Sequence, residues 1–429
     1  MIGLIALLVL LLFFAVGMPV AFAIGGTALV MSIVDRGFSF IMSPGVLAQR
    51  TMSGLDNFLL LSVPFFLYSG KIMNVGGITT RLFNFAKYLV GWLRGGLGHV
   101  NVMSSVVFAG KAGTAVSDAA ALSPILVKAM RDEGYEEDFA VGITCASTII
   151  APITPPSVPL VIFGMMTGTS IGGLFLGGII PGLLVAVSLM ISVEVYASRR
   201  KMPKGIPFAL DKIVVAFFKA FPALLTPVII IGGILSGVFT PTEAASMAAV
   251  YATILSVFVY REIGFKDIIR VIKETARDTG TVMIIVSLSN AFGFFITRSG
   301  IAVQLANGII GISTNTIVVG LILIGFLLFV GLFLEATSAI IILSPILLPV
   351  AIAGGIDPVV FGIIMVLTLM IGLLTPPFGM VMFVVSKVAH VPLDKVMLAV
   401  IPYIIPLLIV CVLLVIFPGL VTFLPSLLL

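Results

Sequence analysis

The sequence predicts an all-α polytopic membrane protein built from two related halves, and three observations predict it. The 429 residues are 60% hydrophobic and 10% charged, and 18 acids with 23 bases cannot cover the surface that a soluble protein of this length exposes. Apolar runs near the ~20 residues that cross a bilayer recur along the chain. Two proline motifs recur at a single offset, one copy in each half.

The first run, Ile2 to Val16, is followed by Ala21-Phe22-Ala23, which resembles a signal-peptidase site. A signal peptide carries a basic n-region, and the first basic residue here is Arg36, so a retained first helix is expected. Spans are then expected near 2–17, 19–34, 57–76, 139–164, 172–197, 217–237, 242–260, 280–297, 358–386 and 397–425. The apolar regions 99–128 and 314–354 are too long for one span and too short for two. Each carries Gly, Ser, Thr or an acid in the middle. Each is expected to be a re-entrant helical hairpin, because non-helical backbone at membrane depth is tolerated only where protein or a cavity surrounds it.

Ile78–Gly95 and Phe265–Asp278 mix bases with apolar residues at helical spacing and read as helices lying along the interface. Ala197–Asp211, with Pro203 and Pro207, reads as a linker between the halves. The blocks are therefore 1–98, scaffold helices and arm; 99–164, hairpin and broken helix; 165–216, span and linker; 217–313, scaffold helices and arm; 314–386, second hairpin and broken helix; and 387–429, last span.

If both termini face outward, Arg36, Arg50 and Arg298 lie outside and the other bases lie inside or in the first hairpin, as the positive-inside rule asks. The +5 net charge reflects that bias and gives no reason to expect nucleic-acid binding. Cys145 and Cys411 sit in apolar runs and read as packed thiols. His99 and His390 are isolated and do not make a zinc site.

The halves match at an offset of 221 residues. Gly110 to Leu126 reads GKAGTAVSDAAALSPIL and Gly331 to Leu347 reads GLFLEATSAIIILSPIL. Thr154-Pro155-Pro156 meets Thr375-Pro376-Pro377 at the same offset. The crossings between the two hairpins invert one half relative to the other. Inverted repeats with broken helices near the midplane are the mark of secondary transporters, and the breaks mark the site.

Tandem prolines remove backbone donors and open a helix, which leaves carbonyls free for a dehydrated Na⁺. A plain kink is the alternative for either copy alone. The hairpin tips crowd small and hydroxylated residues, Gly113-Thr114 and Ser117-Asp118 in one and Glu335, Thr337 and Ser338 in the other. Helix N-termini past each tip offer positive charge to an anion. An ionisable group at depth is a functional candidate by default, which singles out Lys111, Asp118 and Glu335. Lys111 either neutralises Asp118 structurally or meets a substrate carboxylate. Glu335 occupies the position of Thr114 in the repeat and has no base nearby in sequence. Ser157, just past the first break, is a further contact candidate. Glu243 follows Thr240-Pro241-Thr242 and reads as a helix-start residue; Glu194 sits near a span end. A phosphate loop around Lys111 is excluded, because Ser105 stands where its first glycine belongs and Ala112 where Ser or Thr belongs.

These motifs, with the breaks ITPPSVPLVIFG and LLTPPFGMVMF and the stretch GVFTPTEAASMAAVYA, resemble the large M subunit of TRAP (tripartite ATP-independent periplasmic) transporters over essentially the whole chain. The first tip reads Ala112-Gly113-Thr114 where the family often has a Ser-Gly-Ser-like sequence. The resemblance implies an elevator-type transporter of the ion-transporter superfamily, in which two hairpins and two broken helices slide against the remaining helices. It implies a bacterial inner-membrane location, a small four-helix Q subunit, a soluble periplasmic binding protein, and Na⁺ as the driving ion, at least two per cycle.

The expected sodium ligands are Ala112, Gly113, Thr114, Ser117, Thr154 and Pro155 in the first half. In the second half they are Gly331, Ala336, Thr337, Ser338, Thr375, Pro376 and Phe378. The expected substrate contacts are Lys111, Thr114, Asp118, Ser157 and Glu335. Related members carry sialic acid, C4-dicarboxylates or other organic acids, and a polar site around Glu335 points to sialic acid. An intramembrane enzyme would need a serine–histidine or paired-aspartate constellation at depth, which neither histidine supplies. A channel would conduct but would not exchange labelled for unlabelled substrate.

Overall fold

The computed structural model describes residues 2–36, 45–108, 115–200, 202–203 and 205–429. Every regular element among them is helical, and seven helices are long and apolar enough to cross a membrane. The chain is a multi-pass membrane protein.

The repeat in the sequence is a repeat of helices. Val20–Arg36 and Pro241–Ile254 begin 221 residues apart, as do the second hairpin arms Ala115–Asp132 and Ala336–Ala353. The first arms are Gly96–Phe108 and Thr316–Gly331. Gly134 (φ 82°) and Gly355 (φ 80°), also 221 apart, reverse the chain after each hairpin in a left-handed conformation that favours glycine. Each half ends in a broken helix, Glu137–Ser147 with Val158–Thr167 or Pro358–Gly372 with Met380–Ala389. A long helix follows, Ile171–Arg199 or Leu393–Ile416. Because the hairpins turn back, each half makes an odd number of crossings, and the halves are inverted.

Local chemistry sets the helix ends. Thr240 and Glu243 form a capping box: Glu243 N–H donates to Thr240 Oγ1 (3.3 Å) and Thr240 N–H donates to Glu243 Oε2 (2.8 Å), with Pro241 at the first helical position. Glu243 is thus the helix-start residue that the sequence implied. Asp357 caps the second broken helix through Val359 N–H (2.8 Å). Single prolines do not break these helices: Pro181, Pro222, Pro227, Pro402 and Pro406 all lie inside continuous helix. The tandem prolines do, and both Pro155-Pro156 and Pro376-Pro377 are cis.

Four features differ from the sequence expectation. Phe265–Asp278 is no separate interfacial helix but the start of one 35-residue helix, Phe265–Ser299. Gly280 at the junction costs only ~1 kcal/mol relative to alanine, and Lys71 clamps the turn beside it through Asp278 (2.6 Å) and Glu274 (3.9 Å). The helices Gly45–Ser53 and Ile301–Ile312 were not anticipated; the latter is the counterpart of Ile78–Val90. The last span ends at Ile416, because Pro418 cannot donate to a continuing turn, and Gly419–Leu428 is a separate helix. Lastly, Ile171–Arg199 and Leu393–Ile416 pack on the broken helices, so blocks 165–216 and 387–429 join the hairpin body through these helices.

The remaining helices form the other body. Phe265–Ser299 packs against Val20–Arg36, Ser62–Val75 and the second hairpin, while Ile78–Val90 packs on the first hairpin and Ile301–Ile312 on the second.

Candidate functional site

The second half shows the site most completely. Thr316–Gly331 ends in turns over Leu332–Leu334, and the next helix begins at Ala336. Among the described residues the carbonyls of Gly331, Leu332, Phe333 and Leu334 accept no hydrogen bond. Across from them, Pro358–Gly372 opens, and the carbonyls of Leu374, Pro376 and Pro377 are likewise free of donors. Two contacts join tip and break. A Cβ on Gly372 would lie 2.6 Å from Gly331 Cα, so these backbones touch where only glycine fits. The Phe333 and Phe378 rings lie 5.1 Å apart. Free carbonyls on two facing segments are the ligands that a small hard cation takes. Thr375 Oγ1 donates to Ile371 O (2.8 Å), which leaves its oxygen able to accept a cation as well.

Glu335 caps the following helix. Its Oε2 accepts from Ser338 N–H (3.0 Å) and its Oε1 from the Thr337 hydroxyl (3.0 Å). Ala336, Thr337 and Ser338 are buried in the first turn. Glu335, Thr337 and Ser338 also line a cavity of 690 Å³ whose opposite wall includes Lys71, Asp278 and Thr281. Val116 of the first hairpin reaches the same cavity. The cavity is therefore bounded by both hairpins on one side and by the helices of the other body on the other.

In the first half, Lys111, Ala112, Gly113 and Thr114 lie outside the described residues. Ser117 falls in the first turn of Ala115–Asp132, and so does Asp118, which is 2% exposed. At the break, Thr154 N–H donates to Ile150 O (3.0 Å). The carbonyls of Ala151, Ile153, Thr154 and Pro155 accept nothing among the described residues. Thr154 Oγ1 is buried and has no partner there. The helix Ile171–Arg199 seals this break with two glycines one turn apart. A Cβ on Gly178 would meet Ile153 O at 2.3 Å and one on Gly182 would meet Thr154 Oγ1 at 2.4 Å. Ser157 is fully buried; its hydroxyl donates to Pro152 O and accepts from Leu160 N–H (3.3 Å), so it shapes the break and caps Val158–Thr167.

The structure thus gathers Gly331, Thr375, Pro376 and Phe378 at one locus, and Glu335, Thr337 and Ser338 at the adjoining cavity. Lys71 and Asp278 are the residues that sequence reasoning missed. The signal existed, since Lys71 is the single charged residue within 57–76 and a charge at depth costs ~2.5–3.5 kcal/mol. Glu194 is not isolated either: its Oε2 lies 3.7 Å from Nε2 of buried His99.

Residues 7–420 match the family model described as "Tripartite ATP-independent periplasmic transporter, DctM component". The chain is 45% identical over 416 residues to the sialic acid TRAP transporter large permease protein SiaM of Vibrio cholerae, which covers 96% of this chain and 95% of that one. It is 39% identical over 424 residues to the sialic acid TRAP transporter permease protein SiaT of Haemophilus influenzae, covering 99% of this chain and 68% of that longer one. The YdaH transporter of Alcanivorax borkumensis shares the fold, with a TM-score of 0.62 at 12% identity over 89% of each chain.

Proposed function

Since the chain belongs to the DctM family, the large permease subunits of tripartite ATP-independent periplasmic transporters, we propose that it imports sialic acid across a bacterial inner membrane, driven by at least two Na⁺ ions. It is a transporter subunit rather than an enzyme, as its relatives' names say. The observation that carries the reading is the meeting of unbonded carbonyls at Gly331–Leu334 with those at the Thr375-Pro376-Pro377 break, beside a mostly apolar cavity that Glu335, Thr337, Ser338, Lys71 and Asp278 also line. A cation bound there would hold tip and break together and set the shape that receives the anion. The first half supplies the second ion site from the Thr154-Pro155-Pro156 break and the first tip.

Sialic acid is favoured over a C4-dicarboxylate by the names of SiaM and SiaT and by a cavity that offers three hydroxyls, from Thr281, Thr337 and Ser338, and two carboxylates, Asp278 and Glu335, with Lys71 paired to Asp278. The hairpin body would carry the anion by sliding against the other body, with both chain ends on the periplasmic side. A four-helix membrane subunit and a periplasmic binding protein complete the machine. SiaT's additional length is consistent with a small subunit fused to the large one in that relative.

In proteoliposomes that contain the chain, its small subunit and the binding protein, labelled sialic acid uptake should require Na⁺ and rise with a Hill coefficient above one. Preloaded unlabelled sialic acid should accelerate entry by counterflow, which a channel would not show. Equal uptake in potassium under a proton gradient alone would remove sodium from the reading, and counterflow by C4-dicarboxylates alone would replace the substrate.

The breaks can be tested separately. Thr154 Oγ1 has no partner among the described residues, so Thr154→Ala sacrifices no internal hydrogen bond there and should fold normally. It should nevertheless raise the Na⁺ concentration for half-maximal uptake about tenfold, the worth of one good ligand interaction. Thr375→Ala should do the same. Wild-type Na⁺ dependence in both would reduce the Thr-Pro-Pro segments to kinks.

A further inference from the structure

A second cavity, which shares no lining residue with the first, lies between Ile78–Val90 and Leu210–Leu235. It measures 350 Å³ and is lined by Arg81, Asn84, Tyr88, Asp211, Lys212 and Lys219, together with Val215 and Ala216. The lining follows from helical spacing. Positions 81, 84 and 88 form one face of the first helix, and 212, 215, 216 and 219 form the facing stripe of the second. Arg81, Lys212 and Lys219 thus line it together with one acid, Asp211.

Arg81 is fixed in place. It pairs with Glu262 Oε1 (2.5 Å), donates to Gly77 O (2.9 Å) and lies 4.0 Å over the Tyr260 ring. Tyr260 also ties the two walls, since its hydroxyl donates to Lys219 O (3.2 Å). Lys212 and Lys219 are exposed and have no acidic partner within 4.0 Å among the described residues. Beside the cavity runs an apolar cluster. Phe217 contacts Phe85 (5.7 Å), Phe218 (5.7 Å) and Phe221 (5.6 Å), and Phe218 and Phe221 are 68% and 43% exposed. Trp92, just past the end of the first helix, and Phe208, just before the start of the second, meet edge-on at 5.7 Å. Bases suit a lipid phosphate and exposed aromatic rings alongside suit its acyl chains, the two ends of an amphiphile.

We propose that this cavity binds the headgroup phosphate of an anionic phospholipid, with Lys212 and Lys219 as its cations, Tyr88 and Asn84 as its donors, and the phenylalanine cluster along its acyl chains. The lipid would brace Ile78–Val90, which packs on the first hairpin, against Leu210–Leu235.

Melting of the full chain in micelles tests this. A thiol-reactive dye reports unfolding, because Cys145 and Cys411 are both buried. Phosphatidylglycerol should raise the midpoint, while phosphatidylethanolamine and inorganic phosphate should not. The double variant Lys212→Gln/Lys219→Gln should keep its lipid-free midpoint and need about thirtyfold more phosphatidylglycerol for the same shift. The control Lys266→Gln/Lys273→Gln, which removes two exposed bases elsewhere, should respond like the unaltered chain. An undiminished response in the first double variant, or an equal loss in the control, overturns the site. A shift with inorganic phosphate that matches the lipid's overturns the lipid assignment in favour of a soluble anion.

Discussion

Gly372→Ala should nearly abolish Na⁺-driven uptake. The added methyl would lie 2.6 Å from Gly331 Cα and 2.7 Å from Gly331 C, and neither is the movable end of a side chain. Tip and break must separate to admit it. Overpacking of this kind costs ~1–3 kcal/mol, and here the displaced atoms carry the free carbonyls. If ion binding needs the native spacing, the Na⁺ concentration for half-maximal uptake should rise by about tenfold to a hundredfold. Gly325→Ala is the control, on the hairpin arm that carries Gly331 and with nothing within 4 Å of its Cβ position. It should transport normally, since alanine is the better helix former. Measured Na⁺ titrations of the two variants should diverge; coincident curves would mean that the Gly331–Gly372 approach plays no part in ion binding.

The second large effect is expected at Glu335, where capping and charge can be separated. Its carboxylate accepts from Ser338 N–H and from the Thr337 hydroxyl while facing the cavity. Glu335→Gln keeps one acceptor oxygen and the shape but loses the charge. A charged hydrogen bond is worth ~1.5–3 kcal/mol, so transport should fall about tenfold or more with little change in melting. Glu335→Ala also loses the cap, worth ~1 kcal/mol, and should melt lower as well. Normal transport by Glu335→Gln would leave Glu335 as a cap alone and move the substrate site elsewhere.

The legible parts of this molecule were those written in proline and hydroxyl residues. Ser123-Pro124 and Ser344-Pro345 fall in the second hairpin arms, and the tandem prolines fall in both breaks, as their common offset implied. What stayed hidden depended on neighbours distant in sequence. The continuity of Phe265–Ser299 is secured partly by Lys71, roughly 200 positions earlier, so Asp278 looked like the end of a surface helix. Ile301–Ile312 holds Gly308 and Gly311 and no cap side chain, and its helix is set by packing on the second hairpin. Glu335 was singled out by its depth, yet its capping geometry appears only once Ser338 N–H is placed. Likewise, the part Ser157 plays in capping Val158–Thr167 appears only once Pro152 O and Leu160 N–H are placed.

The unbroken helix Phe265–Ser299 has a mechanical consequence. At ~1.5 Å per residue its 35 residues extend about 52 Å, against about 30 Å of hydrocarbon. A rod with this excess must tilt or protrude, and it has no internal joint at which to absorb a change in bilayer thickness. Asp278 and Thr281, which wall the cavity, are fixed points on that rod. A thinner bilayer that tilts the rod therefore shifts this wall relative to Glu335, and membrane thickness becomes a variable that acts on the cavity itself.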